Sequence, residues 1–504
     1  METDRAIDRR QFLGAPFLLL ASKTDRAITG GFVNDAFMQG HRLRDRAAFS
    51  KPANTVRVPV VIAGGGIAGL SAAWRLDKQG FHDFLLLEME RETGGNSRHG
   101  ENEITRYPWA AHYLPVPSKE SALVRELCRE FGVLDEQGKW NERYLCFSPQ
   151  ERLFLHGRWQ EGIEPETAAT SADREQYRRY QESMKEQAHT GQFTIPMEIG
   201  AKPSTLDVES MSSWMDRNRF TSPYLRWYVD YACRDDYGAS IAGTSAWAGI
   251  HYFASRQPDD KGPLTWPEGN GWLASRLAFK LSRYIRTNST VYSIRPAGRQ
   301  FEVLTPSVKY IADKVIFAAP TFTAHYIVEG APKYDCAYSP WLTANLTLDR
   351  IPAETGVESA WDNVIYDSPA LGYVIATHMS TKSRIEKTVW TYYWSFALES
   401  PAKTREALLN RDWSYWKDAI LRDLERAHPD IRQCVSRIDI MRFGHAMARP
   451  SPGFLNAAER HRWASDKGGI LYANSDLSGF SIFEEAQYRG VKAADAVLKQ
   501  IGKR

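Results

Sequence analysis

Cysteine is scarce in this 504-residue chain: Cys128, Cys146, Cys233, Cys336 and Cys434 are widely spaced and none belongs to a C-x-x-C pair. That spacing argues against a zinc site, and an odd number argues against a disulfide framework, so reduced and mostly buried thiols and no metal are expected. Long apolar runs are missing as well. No stretch reaches the roughly 18 apolar residues of a membrane span, so no stable span is expected. An excess of one charge is also lacking. The 64 basic and 61 acidic residues leave a net charge of +3, without the clustered basic patch of a nucleic-acid binder. Internal repeats and low-complexity tracts are absent. What remains is 43% apolar residues, enough for a large core, and a length of a few units at roughly 100–200 residues each.

The N-terminus stands apart. Asp8 to Gly14 reads DRRQFLG and is followed by APFLLLAS. A twin arginine, a spacer and then Phe12-Leu13 resembles the export signal of proteins translocated already folded. The apolar segment is short and no A-x-A cleavage site follows it, so a basic tail is the competing reading. The expectation is a periplasmic protein, with the Tat translocase as a transient partner and a cytoplasmic location as the alternative. Residues 1–25 are set aside from the fold.

The informative stretch is VVIAGGGIAGLSAAWRL, residues 60–76. Val56 to Ala63 reads as a strand buried on both faces of a parallel sheet. Gly64, Gly66 and Gly69 then form G-x-G-x-x-G at the mouth of a helix running from Ile67 to Gln79 and stopping at Gly80. The first glycine permits the tight turn, the second lets backbone approach a pyrophosphate, and the third lets helix and strand pack closely. Ile67 and Ala68 open the helix, whose free N–H groups favour phosphate. A second strand, Phe84 to Glu90, carries Glu88, placed to accept both ribose hydroxyls of an adenosine. Together these predict a dinucleotide site.

Beyond it the pattern changes. Residues 118–240 are helical and charged, with a capped start at Ser118. Strand patterns return at 288–320 and aromatic-rich alternating strands at 340–400. A helix is expected over Ala402 to Ala427, then a final strand and helix. The expected divisions are 26–117, 241–320 and 441–504 for a discontinuous nucleotide-binding domain, and 118–240 and 321–440 for an inserted domain.

Three blocks carry a family resemblance. ERETGGNSRHG places Gly94-Gly95 shortly after Glu88. WPEGNGWLASRLA and NSTVYSIRP…KYIADKVIFAAP fill the middle. GGILYANSDLSGFSIFEEAQYRGVKAADAVL closes the chain. Residues 56–100, 264–320 and 468–497 resemble the flavin-dependent amine oxidoreductase superfamily, which includes monoamine and polyamine oxidases, phytoene desaturases and protoporphyrinogen oxidase. The resemblance implies an α/β fold: a discontinuous Rossmann-like FAD-binding domain with an inserted α+β substrate domain. It implies non-covalent FAD, since no Cys lies near 440–460. It places Gly94, Gly95, Asn96 and Ser97 on the phosphates and ribityl chain, Val291 at the adenine, and Asp476 and Phe483 at the flavin end. The family's Arg after the glycine pair is replaced by Asn96, with Arg98 two residues later.

The implied chemistry is hydride transfer from an amine C–H, in a polyamine among other substrates, to flavin N5, with oxygen or a periplasmic carrier as final acceptor. Thr29 to Asp45 resembles the lead-in of bacterial spermidine dehydrogenases. Two other readings stay open: a desaturase or oxidase of an apolar isoprenoid or polycyclic substrate, and a flavin-binding protein without turnover. The lysine that amine oxidases often place near N5 has no counterpart between Lys333 and Lys382. Catalytic candidates are His445, as proton acceptor or orienter, and Tyr393 and Trp394 for an aromatic cage, with Tyr392 and Trp266 also considered. Strand alternation puts Tyr393 on the face opposite Tyr392 and Trp394. Asp235 and Asp236 either hold a cationic amine or cap a helix.

Overall fold

The computed structural model describes residues 27–33, 37–256, 262–465 and 468–502. The twin-arginine segment lies outside them.

A parallel sheet has the strand order Ile285–Arg286, Phe84–Leu87, Val60–Ala63, Lys314–Phe317, Ile470–Tyr472. Val60, Val61 and Ile62 have no accessible surface, as the unbroken aliphatic run requires of a strand covered on both faces. Each such side chain contributes roughly 1.5–3 kcal/mol of burial. The expected single strand from Val56 is two. Asn54–Arg57 pairs with Val308–Ala312 in a separate four-stranded sheet. The break falls at Pro59, which has no N–H to donate and whose carbonyl accepts from Asp313 and Lys314, both at 3.0 Å.

Helix Ile67–Lys78 covers one face of the parallel sheet and packs on the last helix, Phe483–Ile501. At Gly490 the two helices are so close that a Cβ would stand 2.1 Å from the Ala68 carbonyl oxygen. Arg75 and Asp495 close the contact as an ion pair at 2.7 Å.

The second large sheet has eight strands, in the order Thr29–Phe32, Val435–Ala448, Tyr338–Leu348, Thr388–Trp394, Gly372–Ile375, Asp362–Ile365, Glu151–Leu155, Arg158–Glu161. Its outer face, with Leu342, Tyr373, Trp390 and Tyr392, packs on Leu408, Trp416 and Ile420 of two helices. Its inner face carries Leu153, Val364, Val374, Tyr393 and Trp341. The helices Ser171–His189, Met211–Arg217, Pro223–Tyr237 and Ala246–Ala254 form their own core around Tyr180, Trp214 and Trp247.

Several local expectations are corrected. The hairpin Glu151–Leu155/Arg158–Glu161 lies within the stretch read as helical. Thr29–Phe32 joins the eight-stranded sheet rather than the nucleotide-binding part, and Val435–Ala448 runs across the expected division at 440. The helix expected at Ser118 begins at Ala122, and the Ser121 hydroxyl donates to the Ile195 carbonyl at 2.6 Å instead of capping. The long helix over 402–427 is two helices, Pro401–Asn410 and Trp413–Leu424. The second starts afresh because Asp412 accepts from the Tyr415 N–H at 2.8 Å.

Candidate active site

The glycine loop separates the roles of its three glycines. Gly64 has φ +112°, and a Cβ there would sit 2.7 Å from the Ala319 nitrogen. At Gly69 a Cβ would be 1.9 Å from the Gly64 carbonyl oxygen. These two residues let strand, helix and the neighbouring strand end meet. Gly66 has nothing within 4 Å of its would-be Cβ and faces open space. It precedes Ile67 without a side-chain cap, so the first-turn N–H groups of the helix are presented to that space with a partial positive charge.

Glu88 stands beside this loop, almost fully buried. Its two carboxylate oxygens accept from the Gly65 N–H at 2.6 Å and the Glu90 N–H at 2.8 Å. Burial pushes its pKa up, against the pull of those two donors. The Gly94 N–H donates to the Gly65 carbonyl at 2.8 Å, and Gly94 and Gly95, at φ +117° and +56°, fold the second glycine pair over the first. Asn96 donates from Nδ2 to the Ala446 carbonyl at 2.9 Å, which ties this loop to the large sheet. Arg98 contacts the Gly95 carbonyl at 3.1 Å and lies 3.5 Å from Glu90.

At the other end, Asp476 is buried and accepts three hydrogen bonds: from the Thr321 hydroxyl at 2.6 Å, the Thr321 N–H at 2.7 Å and the Tyr338 hydroxyl at 2.7 Å. Burial raises its pKa while these donors lower it. Sequence reasoning does not find Thr321 and Tyr338. The only signal it offers is the position of Thr321 directly after Ala318-Ala319-Pro320.

One cavity of about 440 Å³ connects these groups. Gly64, Gly66, Ile67, Ala68, Glu88, Gly94, Gly95, Asn96, Ser97, Val291, Asp476, Phe483 and His445 all line it, with Arg98 and Phe443. Gly69 does not, since its role is the contact beneath the loop. The residues fit a dinucleotide: an acid for a ribose at one end, N–H groups and Arg98 for phosphates in the middle, and the start of helix Phe483–Ile501 at the far end. His445 stacks on Phe322 with 4.5 Å between ring centroids. Burial, with Arg405 next, lowers its pKa to about 4, so it is neutral at physiological pH and a weak proton acceptor.

The aromatic candidates divide by sheet face. Tyr393 lies on the inner face, stacked on His112 at 4.5 Å and edge-on to Trp341 at 6.5 Å. Trp394 lies on the outer face, against Phe396 at 4.7 Å and Trp416. Trp394 is therefore corrected to a core residue. Tyr392 is outer too, donating to Asp423 at 2.9 Å, and Trp266 stacks on Trp272 at 4.8 Å within the core under the glycine-loop helix. Phe443 and Ala446 line the cavity and also pack on the cluster of Tyr393, Trp341 and Trp361. The cavity wall and the inner sheet face are therefore continuous.

Carboxylates stand behind that aromatic wall. Asp362 and Glu151 are register partners on adjacent strands, so their side chains share a face. Asp235 and Asp236 lie in the last turn of helix Pro223–Tyr237. They cap no helix start, and negative charge there opposes the helix dipole. Asp236 pairs with Arg256 at 2.7 Å.

Known proteins share parts of this arrangement. The model of an NAD(P)-binding Rossmann-like domain matches residues 62–131. Over 90 residues the chain is 40% identical to an L-amino acid oxidase of Cerastes cerastes, and 38% identical to one of Bothrops pauloensis. That stretch is 18% of this chain, and the chain spans 17% of the length of these curated relatives. Among solved structures, a putrescine oxidase bound to putrescine matches with TM-score 0.64 and 15% identity, over 88% of this chain and 100% of that one. A cyclohexylamine oxidase from Brevibacterium oxydans matches with TM-score 0.65 and 14% identity, over 88% of this chain and 99% of that one. The chain has the amine oxidase fold. Within the amine oxidase fold, the parallel sheet and glycine loop form the Rossmann-like part, and the eight-stranded sheet with its helices forms the other wall of the cavity.

Proposed function

We propose that this protein binds FAD non-covalently and oxidises an amine, with a polyamine as the finer reading. The observation that carries the proposal is the cavity itself: Glu88, an adenosine-type acid, stands at one end and the start of helix Phe483–Ile501 at the other, and its wall residues Phe443 and Ala446 pack on the aromatic cluster of the inner sheet face. When bound, FAD would supply a two-electron acceptor at N5 for a hydride from the carbon next to nitrogen. The chain's own part is to bind and orient. Helix Phe483–Ile501 directs its uncapped N-terminus, from Ile482 onward, at the cavity, where it favours negative charge. Phe443 lines the cavity and offers a ring face to an amine, and the cluster of Tyr393 and Trp341 on which it packs keeps water out of that wall. None of the residues that line the cavity among those described is a lysine, so the reading does not require fast reaction with oxygen.

The test is the visible spectrum of the purified protein, followed anaerobically with a panel of amines that includes spermidine. Bleaching of the flavin bands by an amine supports the reading, and readmitting oxygen separates oxidase from dehydrogenase. A flavin spectrum that no amine bleaches rejects amine oxidation, and a protein that cannot be loaded with FAD rejects the whole proposal.

A further inference from the structure

Helix Phe37–Arg44 lies ahead of the glycine loop in the chain and outside the residues matched to a Rossmann-like domain, which begin at 62. It nevertheless borders the cofactor cavity. Phe37, Gly40 and Leu43 line that cavity, and their three-residue spacing puts them on one helix face. The helix buries none of its residues, whereas a helix held by the core buries an apolar stripe. Its footing is light. It packs on the short helix Ala324–Ile327, and Leu43 reaches the cluster that holds Val291 and Ile327. The Arg442 guanidinium lies 5.3 Å from the Phe37 ring centre and 3.7 Å from that of Phe32. Arg42 lies 4.5 Å from the Phe49 ring centre, and Phe49 stacks on Tyr292 at 4.8 Å. Exposed cation–π contacts contribute only about 0.5–1 kcal/mol each, so the segment belongs to the low-stability end of the molecule, where local opening is easy.

Gly40 supplies the second observation. A glycine inside a helix costs about 0.5–1 kcal/mol relative to alanine. Here a Cβ would meet no atom of the described residues within 4 Å. Packing within the chain therefore does not explain the glycine, yet it faces the cavity. Gly66, on the glycine loop, shares both features. Phe37 and Leu43 flank the bare backbone with apolar side chains. Leu43 stands by Val291, the expected adenine contact, and Phe37 by Arg442, next to Phe443. The helix thus runs lengthwise along the cavity.

We propose that helix Phe37–Arg44 is a lid on the cofactor: it closes over bound FAD, Gly40 is its point of closest approach, and it lifts for FAD to enter or leave. This rests on the FAD-binding reading. The contacts that hold the helix down, at Phe37 and Phe49, then set the rates of entry and release.

The test reads FAD binding without any substrate. FAD affinity is titrated on the apo protein, and entry and release are timed separately. Gly40→Leu should weaken FAD binding by about tenfold or more, while the apo melting temperature stays at or above that of the wild type, because leucine favours a helix over glycine. Phe49 does not line the cavity, so Phe49→Ala should loosen the lid alone and speed entry and release together. Wild-type affinity in Gly40→Leu overturns the close approach, and unchanged rates in Phe49→Ala overturn the lid. A wild-type protein that takes up no FAD rejects the cofactor reading and the lid with it, whereas FAD uptake with wild-type behaviour of both variants rejects the lid alone.

Discussion

Glu88 shows how much one side chain can carry. Each of its oxygens already accepts a backbone N–H, from Gly65 and from Glu90, and each keeps a lone pair for a ribose hydroxyl. It therefore fixes the glycine loop before any ligand binds. Asp235 is the opposite case, an enclosed carboxyl that makes no hydrogen bond among the described residues. Burial, then Asp236, pushes its pKa up to about 7, while Arg256 on the adjoining helix end and Arg234 pull the other way and Glu151 adds to the rise. The neutral form dominates below that value and the carboxylate above it. Between the ordinary carboxyl value of about 4 and about 7 the folded protein holds a proton that the unfolded chain has lost, so stability should fall as pH rises through that window, and Asp235→Asn should flatten the fall in thermal melts. A variant whose Tm follows pH as the wild type's does would show that folding does not raise the Asp235 carboxyl. Glu88 is legible in the sequence because its motif fixes its partners locally. Asp362 and Glu151 are not, because they are far apart in the chain and meet only through strand register.

At the scale of elements, alternation along Thr388–Trp394 is enough to separate Tyr393 from its two neighbours. Alternation alone does not say which face looks inward. The helices Pro401–Asn410 and Trp413–Leu424 decide that, because they cover the outer face and turn Trp394 into core. The glycine loop is legible more fully, since its residues answer to contacts within one strand–turn–helix unit. It supports a paired prediction. Gly69→Ala must push a Cβ to within 1.9 Å of the Gly64 carbonyl oxygen, and should cost about 1–3 kcal/mol of stability through overpacking. Gly66→Ala meets nothing and its φ of −70° is open to alanine, so this variant should fold as well as wild type yet bind FAD weakly. Thermal melts of the apo forms together with flavin retention on gel filtration separate the two. Equal flavin retention by Gly66→Ala and wild type would mean that the cofactor backbone does not pass over this residue.

At the scale of the whole molecule, the cavity is assembled from pieces that sequence separates widely. Gly64 to Ser97 supply one wall, Val291 and Ala319 another, Phe443 and Ala446 a third, and Asp476 and Phe483 the far end. The five strands of the parallel sheet come from the same scattered regions. A ligand that touches all of them links segments whose pairing closes long loops, and closing such loops costs entropy. Binding also stabilises by mass action, about 2.7 kcal/mol when free ligand is a hundredfold above Kd. Stripping FAD should therefore lower Tm, and adding it back should raise Tm in a concentration-dependent way. It should also slow proteolysis at several distant sites together, because the ligand spans the N-terminal, middle and C-terminal pieces. Protection confined to the glycine-loop region, with the C-terminal helix cut as fast as in the apo protein, would show instead that the ligand rests on the first wall alone and that Asp476 and Phe483 do not hold it.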